Sequence, residues 1–182
     1  MMNLSNIIEA LQPITVGVHR LPQSRTKISG INTDTRSIER GNLYIALSGE
    51  RYDGHAFIKD AFHGGAAAAV VSEEWFNHNS HSHYPLIVVR LPLEALGKIA
   101  LWWRRKFKIP IVCVAGSNGK TTTKELIAAV LAEKFKVHKT EENLNNKIGV
   151  SKMILQLTPK HKAAVLELGT NRSGEIAWLC RV

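Results

Sequence analysis

Apolar residues recur along this chain at two spacings, and each change of spacing marks an element. Residues 4–11 carry the three-to-four-residue step of a short amphipathic helix, which Pro13 ends. Strand-like runs at 28–33 and 43–47 are separated by a polar turn holding Arg40, Gly41 and Asn42. Residues 55–63 read as a helix stopped by Gly64 and Gly65. The runs at 67–71 and 86–89 do not alternate, so they predict strands buried on both faces. Between them lies a polar loop, 77–83, whose three histidines lack the carboxylate or cysteine that would favour a metal, so a solvated loop is expected.

Pro92 suits the first turn of a helix reaching to 107, with Leu93, Leu96, Ala100, Trp103 and Phe107 on one face. Beyond Pro110 the pattern changes. An apolar strand at 111–115 runs into a glycine-rich turn and a helix over 120–135. A short strand at 137–139, a polar turn at 141–147, a helix over 148–157 and a buried strand at 163–168 follow. Strand, helix, strand, helix, strand is the order of a parallel α/β sheet. The expected fold is therefore α/β in two parts. A small N-terminal α/β substrate domain occupies 1–91, and a connecting helix 92–107. The first, incomplete part of a parallel-sheet phosphate-loop domain occupies 108–182. Three strands leave an open edge, and a helix is only beginning at Gly174, so a longer protein is expected.

Composition narrows this picture without redirecting it. Apolar residues at 45% and charged residues at 21% are the balance of a globular chain, which excludes a disordered one. No apolar run approaches the roughly 20 residues of a membrane span. The first residues lack the basic and apolar regions of a secretory signal, so a cytoplasmic protein without membrane insertion is expected. Cys113 sits in an apolar strand and reads as a buried hydrophobe; no disulfide with Cys180 is expected. The net charge of +9 comes from 24 Lys and Arg against 15 Asp and Glu. Its densest stretch, 102–108, reads as the solvated side of the amphipathic helix, and no nucleic-acid partner is expected.

The chemistry is concentrated in Gly116-Ser117-Asn118-Gly119-Lys120-Thr121-Thr122. Glycines let backbone N–H groups close around phosphate oxygens, a lysine adds charge for the outer phosphates, and a following threonine offers its hydroxyl to magnesium. A strand before and a helix after complete the setting, with the helix presenting its positive end to the anion. Val114 stands where the longer consensus has glycine, so this is the shorter G-x-x-G-K-T form. Glu167 lies near the C-terminal end of the second buried strand, facing the same crevice, where a carboxylate could complete a magnesium shell.

Three further stretches carry a resemblance. Thr33-Asp34-Thr35-Arg36-Ser37, Gly41-Asn42-Leu43-Tyr44-Ile45-Ala46-Leu47 and Gly49-Glu50-Arg51-Tyr52-Asp53-Gly54-His55 resemble the N-terminal substrate domain of the Mur ligases. The glycine loop is similar to the ATP loop of that family. Residues 140–150 and 167–176 look like those of the member that adds D-alanyl-D-alanine. The resemblance runs in order through essentially the whole chain.

The resemblance implies an ATP- and Mg2+-dependent ligase of peptidoglycan precursor synthesis, expected to be monomeric. ATP would phosphorylate the terminal carboxylate of UDP-N-acetylmuramoyl-tripeptide, and the amine of D-alanyl-D-alanine would attack the acyl phosphate. Lys120 and the loop N–H groups would then steady the transferring phosphoryl group, while Thr121 and Glu167 hold magnesium. Lys120 and Glu167 are the expected catalytic residues, and Gly116 to Thr122 the ATP contacts. Asp34, Thr35, Arg36, Asp53, Gly54, His55, Asn145 and Asn146 are the expected substrate contacts. Arg36 suits a phosphate or carboxylate through its forked donors, with a salt bridge to Asp34 or Asp53 as the competing role. His55 is a substrate contact or a helix N-terminal residue, and Asn145 and Asn146 order the site or form a plain turn. Arg172 stands where the family commonly has histidine, which puts a second magnesium site in doubt. The chain alone is expected to be inactive; a non-catalytic binding module for the UDP-sugar peptide and another Mur- or folylpolyglutamate-type amide ligase are the competing readings.

Overall fold

Residues 2–23, 25–49, 52–170 and 173–182 are described by the structure, a computed structural model, in which the chain divides into two units, Met1–Ile99 and Ala100–Val182. The division falls inside a single helix, within the span expected to connect the parts.

In the first unit, β1 (Met2–Asn3) leads directly into α1 (Leu4–Leu11), where the Asn3 side chain accepts from the N–H of Asn6 and caps the helix. The apolar stripe of α1 is fully buried at Leu4, Ile7 and Leu11. Each such side chain contributes roughly 1.5–3 kcal/mol by leaving water. Then come β2 (Thr15–His19), β3 (Lys27–Ile28), β4 (Gly30–Asn32), β5 (Asn42–Ile45), α2 (Ile58–His63), β6 (Ala68–Ser72), α3 (Glu73–His78), β7 (Leu86–Val89) and α4 (Pro92–Arg104). The strand order is β2-β7-β6-β5-β4, with β4 to β7 mutually parallel and β2 antiparallel to β7. A two-stranded antiparallel ribbon joins β1 to β3. Tyr44, Ala46, Ala69, Val71, Leu86 and Val88 pack with Ile58 and Ala61 of α2 and with Trp75 and Phe76 of α3 in one buried cluster.

Among the described residues, β1, β2 and α3 had no counterpart in the sequence pattern. In β2 the apolar side chains of Val16 and Val18 are exposed, so the alternation points away from the core. The α3 helix is six residues long, started by Ser72, whose hydroxyl accepts from the N–H of Trp75. It takes over the first part of the expected loop; His78 there bonds through Nδ1 with the carbonyl of Glu74 at 2.8 Å.

The second unit holds β8 (Ile111–Ala115), α5 (Lys120–Ala132), β9 (Val137–Lys139), α6 (Lys147–Leu155), β10 (Ala163–Leu168) and α7 (Glu175–Leu179). Its sheet order is β8-β10-β9, all parallel. The last strand in sequence is thus central and buried along its whole length. Ala164, Leu166 and Leu168 face a cluster with Val150, Met153 and Ile154 of α6, Leu179 of α7 and the partly buried Trp103 and Phe107. The indole N–H of Trp103 donates to the carbonyl of Leu157 at 3.1 Å. By strand alternation Ala163, Val165 and Glu167 point to the other face.

Cys113, expected as a buried hydrophobe, is exposed. β8 has a single partner strand among the described residues, and its Val112 and Cys113 are open, as are Leu126 and Val130 on the outer side of α5. The α4 helix also stops at Arg104, short of the expected 107; its guanidinium donates to the carbonyl of Phe107 at 2.7 Å and tethers the chain leaving the helix.

Candidate active site

β8 delivers the chain at its C-terminal end into the glycine turn, and α5 starts at Lys120 with Gly119 before it at φ +74°. That left-handed backbone favours glycine, and an added Cβ at Gly119 would meet no atom within 4 Å, so the requirement there is conformational rather than steric. The loop, 116–119, is exposed. Lys120 folds back over it, its ammonium 3.4 Å from the carbonyl of Ser117. Exposed amides ahead of a 13-residue helix, with a lysine at its first position, make an anion cradle.

Sheet order places Glu167 beside this loop. β10 pairs with β8 so that Glu167 lies opposite Val114, one residue from the strand end. Its carboxylate accepts from the hydroxyl of Thr121 at 2.8 Å through one oxygen and from the amide of Asn145 at 2.9 Å through the other. It is only 4% exposed. Burial pushes its pKa up, but the hydrogen bonds from Asn145 and Thr121 and the charges of Lys124 and Lys120 prevail, holding the carboxyl below its ordinary value. A buried carboxylate kept ionised beside a threonine hydroxyl is a pair of hard oxygen donors, the donor type that magnesium takes.

Two supporting residues were not among the expected site residues, and Lys124 carried no motif signal. Lys124, 3% exposed, donates to the carbonyl of Thr140 at 2.8 Å and pairs with Glu125 at 3.0 Å. Thr140, at the end of β9, accepts through its hydroxyl from the N–H of Glu167 at 2.9 Å. A lysine four residues after Lys120 and four before the buried Ala128 lies on the inward stripe of α5, and that spacing was the one legible clue. Glu125 in turn pairs with Lys139. Lys124 therefore ties α5 to the strand end that holds the backbone of Glu167.

The two asparagines separate in role. Asn145 reaches Glu167, and it can do so because Gly169 has no side chain: a Cβ there would lie 2.8 Å from the Asn145 amide carbon and oxygen. Asn146 is the N-cap of α6, accepting from the N–H of Gly149 at 2.9 Å.

The expected substrate residues of the first unit gather at the C-terminal ends of its parallel strands, the edge where open α/β sheets bind ligands. Asp34, just past β4, caps a short 3-10 turn (Thr35–Ser37) by accepting from the N–H of Arg36. The Arg36 guanidinium forks onto the same carboxylate at 2.9 and 2.6 Å. The Arg36 side chain is 88% exposed, and its pKa is raised by the hydrogen bond to Asp34 and by that residue's charge.

Asp53, Gly54 and His55 are engaged with the fold itself. The Asp53 side chain accepts from the His55 N–H at 3.0 Å and from the Ser48 hydroxyl at 2.8 Å, and the carbonyl of Gly54 accepts from the buried Tyr44 hydroxyl at 2.9 Å. His55 is buried, with Nδ1 2.6 Å from Asp53 and Nε2 accepting from the N–H of Ser72 at 2.9 Å. Since Nε2 accepts, the ring proton sits on Nδ1 and is donated to Asp53. Ser, His and Asp thus meet, but not as a nucleophilic triad: the nitrogen that would serve as base is spent on a backbone amide. Glu50, Arg51 and Arg172, to which the sequence reading also pointed, lie outside the described residues.

Comparison with known proteins adds a lineage to this geometry. The family model described as "Mur ligase family, catalytic domain" matches residues 27–146, and "Mur ligase middle domain" matches 114–182. The chain is 42% identical over 181 residues to a UDP-N-acetylmuramoyl-tripeptide--D-alanyl-D-alanine ligase of Synechocystis sp., covering 100% of this chain and 39% of that protein. A crystal structure of MurF from Acinetobacter baumannii superimposes with a TM-score of 0.86 at 33% identity, over 97% of this chain and 38% of that one. A MurF ligase from Thermotoga maritima, solved in complex with ADP, matches with a TM-score of 0.74 at 33% identity, over 84% of this chain and 34% of that one. The chain thus spans about two-fifths of the length of the curated relatives it matches.

Proposed function

The chain belongs to the Mur ligase family, and from that premise we propose that it carries the nucleotide loop and the UDP-sugar-peptide unit of an ATP-dependent ligase joining D-alanyl-D-alanine to UDP-N-acetylmuramoyl-tripeptide. The observation that carries the reading is the contact between Thr121 of the loop and the ionised, buried Glu167. In the proposed reaction a carboxylate oxygen of the tripeptide attacks the γ-phosphorus of ATP and ADP leaves. The dipeptide amine then attacks the carbonyl carbon of the acyl phosphate, loses a proton, and phosphate departs with the C–O electron pair.

Lys120 and the exposed loop amides bind and orient the triphosphate, and their charge opposes that accumulating on the transferred group. Thr121 and Glu167 would hold magnesium as hard oxygen donors, and the ion would supply positive charge against that of the phosphates. Asn145 holds Glu167 in place, while Lys124 and Thr140 fix the strand end that carries it. In the first unit Arg36 meets an anionic group of the UDP-sugar. Its pair with Asp34 is solvent-exposed on the arginine side, where water screens the attraction, so the guanidinium is placed to exchange this partner for a diphosphate. His55, with both ring nitrogens engaged, positions the strand-end loops rather than reacting. The likeness to a relative solved with ADP supports the nucleotide part of this reading.

The test is calorimetric titration of the chain with ATP in the presence and absence of magnesium. Magnesium-dependent binding that Thr121→Val and Glu167→Ala both weaken about tenfold or more is expected; binding indifferent to both substitutions would overturn the assignment. The reaction is proposed for a protein of the relatives' length. For this chain alone, phosphate release in the presence of ATP, UDP-N-acetylmuramoyl-tripeptide and D-alanyl-D-alanine is expected to stay at background.

A further inference from the structure

Within the second unit, three loops enter the parallel sheet at its N-terminal edge, the edge opposite the glycine loop. Before β8 the chain carries Arg105, Lys106 and Lys108; before β9, Lys134 and Lys136; before β10, Lys160 and Lys162. All seven are exposed. Register puts the loops on one level. Ala164 pairs with Ile111 and Ala163 with Val137, the N–H of Lys162 donates to the carbonyl of Lys136 at 2.9 Å, and that of Ala164 to Pro110 at 3.0 Å. Adjacent strands lie roughly 4.8 Å apart, so seven positive charges spread across an edge only three strands wide. Glu133 is the one acidic residue in these loops, and among the described residues no carboxylate pairs with any of the seven.

The aromatic residues here set the kind of partner. Phe135, between Lys134 and Lys136, is 41% exposed, and Lys106 lies over the Trp102 ring at 3.9 Å. Six of the seven charges are lysines, point charges on long apolar stems, rather than the forked guanidinium suited to bidentate phosphate contacts. A level, lysine-rich edge with an exposed aromatic between the charges suits a flat array of anions with an apolar layer beneath it.

We propose that this edge is a docking surface for an anionic phospholipid bilayer, held by the lysines at the headgroups with Phe135 at the interface, while the glycine loop at the opposite edge stays open to nucleotide. The contact is peripheral: among the described residues no helix is long and apolar enough to cross a membrane.

The experiment is co-sedimentation of the full chain with vesicles of phosphatidylglycerol and phosphatidylcholine, against vesicles of phosphatidylcholine alone, at low and high salt. Binding only to the anionic vesicles, lost at high salt, is expected, with partition falling about fivefold for each charge removed. The variant Lys134→Glu/Lys136→Glu/Lys160→Glu/Lys162→Glu should lose it, the fourfold Lys→Arg variant should keep it, and Phe135→Ser should weaken it. Circular dichroism checks that each variant is folded. No sedimentation with anionic vesicles at low salt would overturn the proposal, as would equal sedimentation with neutral vesicles or retention by the charge-reversed variant. Tighter binding to a DNA duplex than to anionic vesicles would overturn it in favour of nucleic acid.

Discussion

Glu167 shows how a single side chain is tuned by neighbours drawn from three elements. Thr121 comes from the start of α5, Asn145 from the loop before α6, and the backbone support from Thr140 at the end of β9. Replacing Glu167 with Gln keeps a planar acceptor, and the Thr121 hydroxyl can turn to accept from the new amide. Glu167→Gln is therefore expected to fold but to have a shallower acid limb in its unfolding profile, keeping only the part due to other carboxyls held low, such as Asp53 and Glu125. The native carboxyl titrates below its ordinary 4.5, so its stabilisation is complete above that pH and is lost as pH falls through the native value. Chemical denaturation at a series of pH values reads this directly; an acid limb as steep in the variant as in the parent would refute the assignment. Lys124→Met tests the support behind the carboxylate. It strands the buried carbonyl of Thr140 without its donor, at a cost of roughly 1–3 kcal/mol, and nucleotide affinity should fall with it.

At the scale of elements, caps distinguish the neighbouring asparagines. Asn146→Ala removes the N-cap of α6 and should cost about 1 kcal/mol of unfolding free energy, read by chemical denaturation, while leaving magnesium-dependent nucleotide binding nearly unchanged. Asn145→Ala should do the reverse, because its amide serves Glu167 and not a helix end. Equal effects of the two substitutions on both measurements would remove the distinction. The elements also show where hydrophobic pattern is a sound guide and where it is not. α1, β6, β7 and β10 were legible because their apolar residues face the core. β2 was not, because it is an edge strand whose valines point outward. α3 was not, because six residues are too short to establish a period, although Ser72 ahead of Glu73 and Glu74 is a start signal.

For the whole molecule, nucleotide binding and stability are linked. A ligand that binds only the folded state at a hundred times its Kd adds about 2.7 kcal/mol, so ATP with magnesium should raise the thermal midpoint of this chain, and ATP with a chelator should raise it less. Scanning calorimetry on the parent and on Thr121→Val would show whether the gain runs through the loop; an unchanged gain in the variant would break the link. Tyr44 provides a measure in the other unit. Burial, helped by the charges of Asp34, Tyr52, Asp53 and Asp60, pushes its phenol up to about 12, and its hydroxyl donates to the carbonyl of Gly54. Since the native phenol keeps its proton where an unfolded one would lose it, stability is expected to fall between about pH 10 and 12, and Tyr44→Phe should flatten that alkaline loss.

The glycine loop, its flanking strand and helix, and the family resemblance could be read from the amino-acid order because they depend on neighbours a few residues apart. Gly119, Lys120 and Thr121 act through one turn of backbone, and conformational preference is local. The crevice that Glu167 shares with Thr121 was legible too, but only the tertiary structure decided its contact with Asn145 and that of Lys124 with Thr140, because these partners lie 22 and 16 residues apart and meet only in the packed sheet. It also decided that His55 spends both ring nitrogens on the fold, and that lysines from three distant loops share one edge. Strand order is a property of the packed sheet, and no spacing along the chain encodes it.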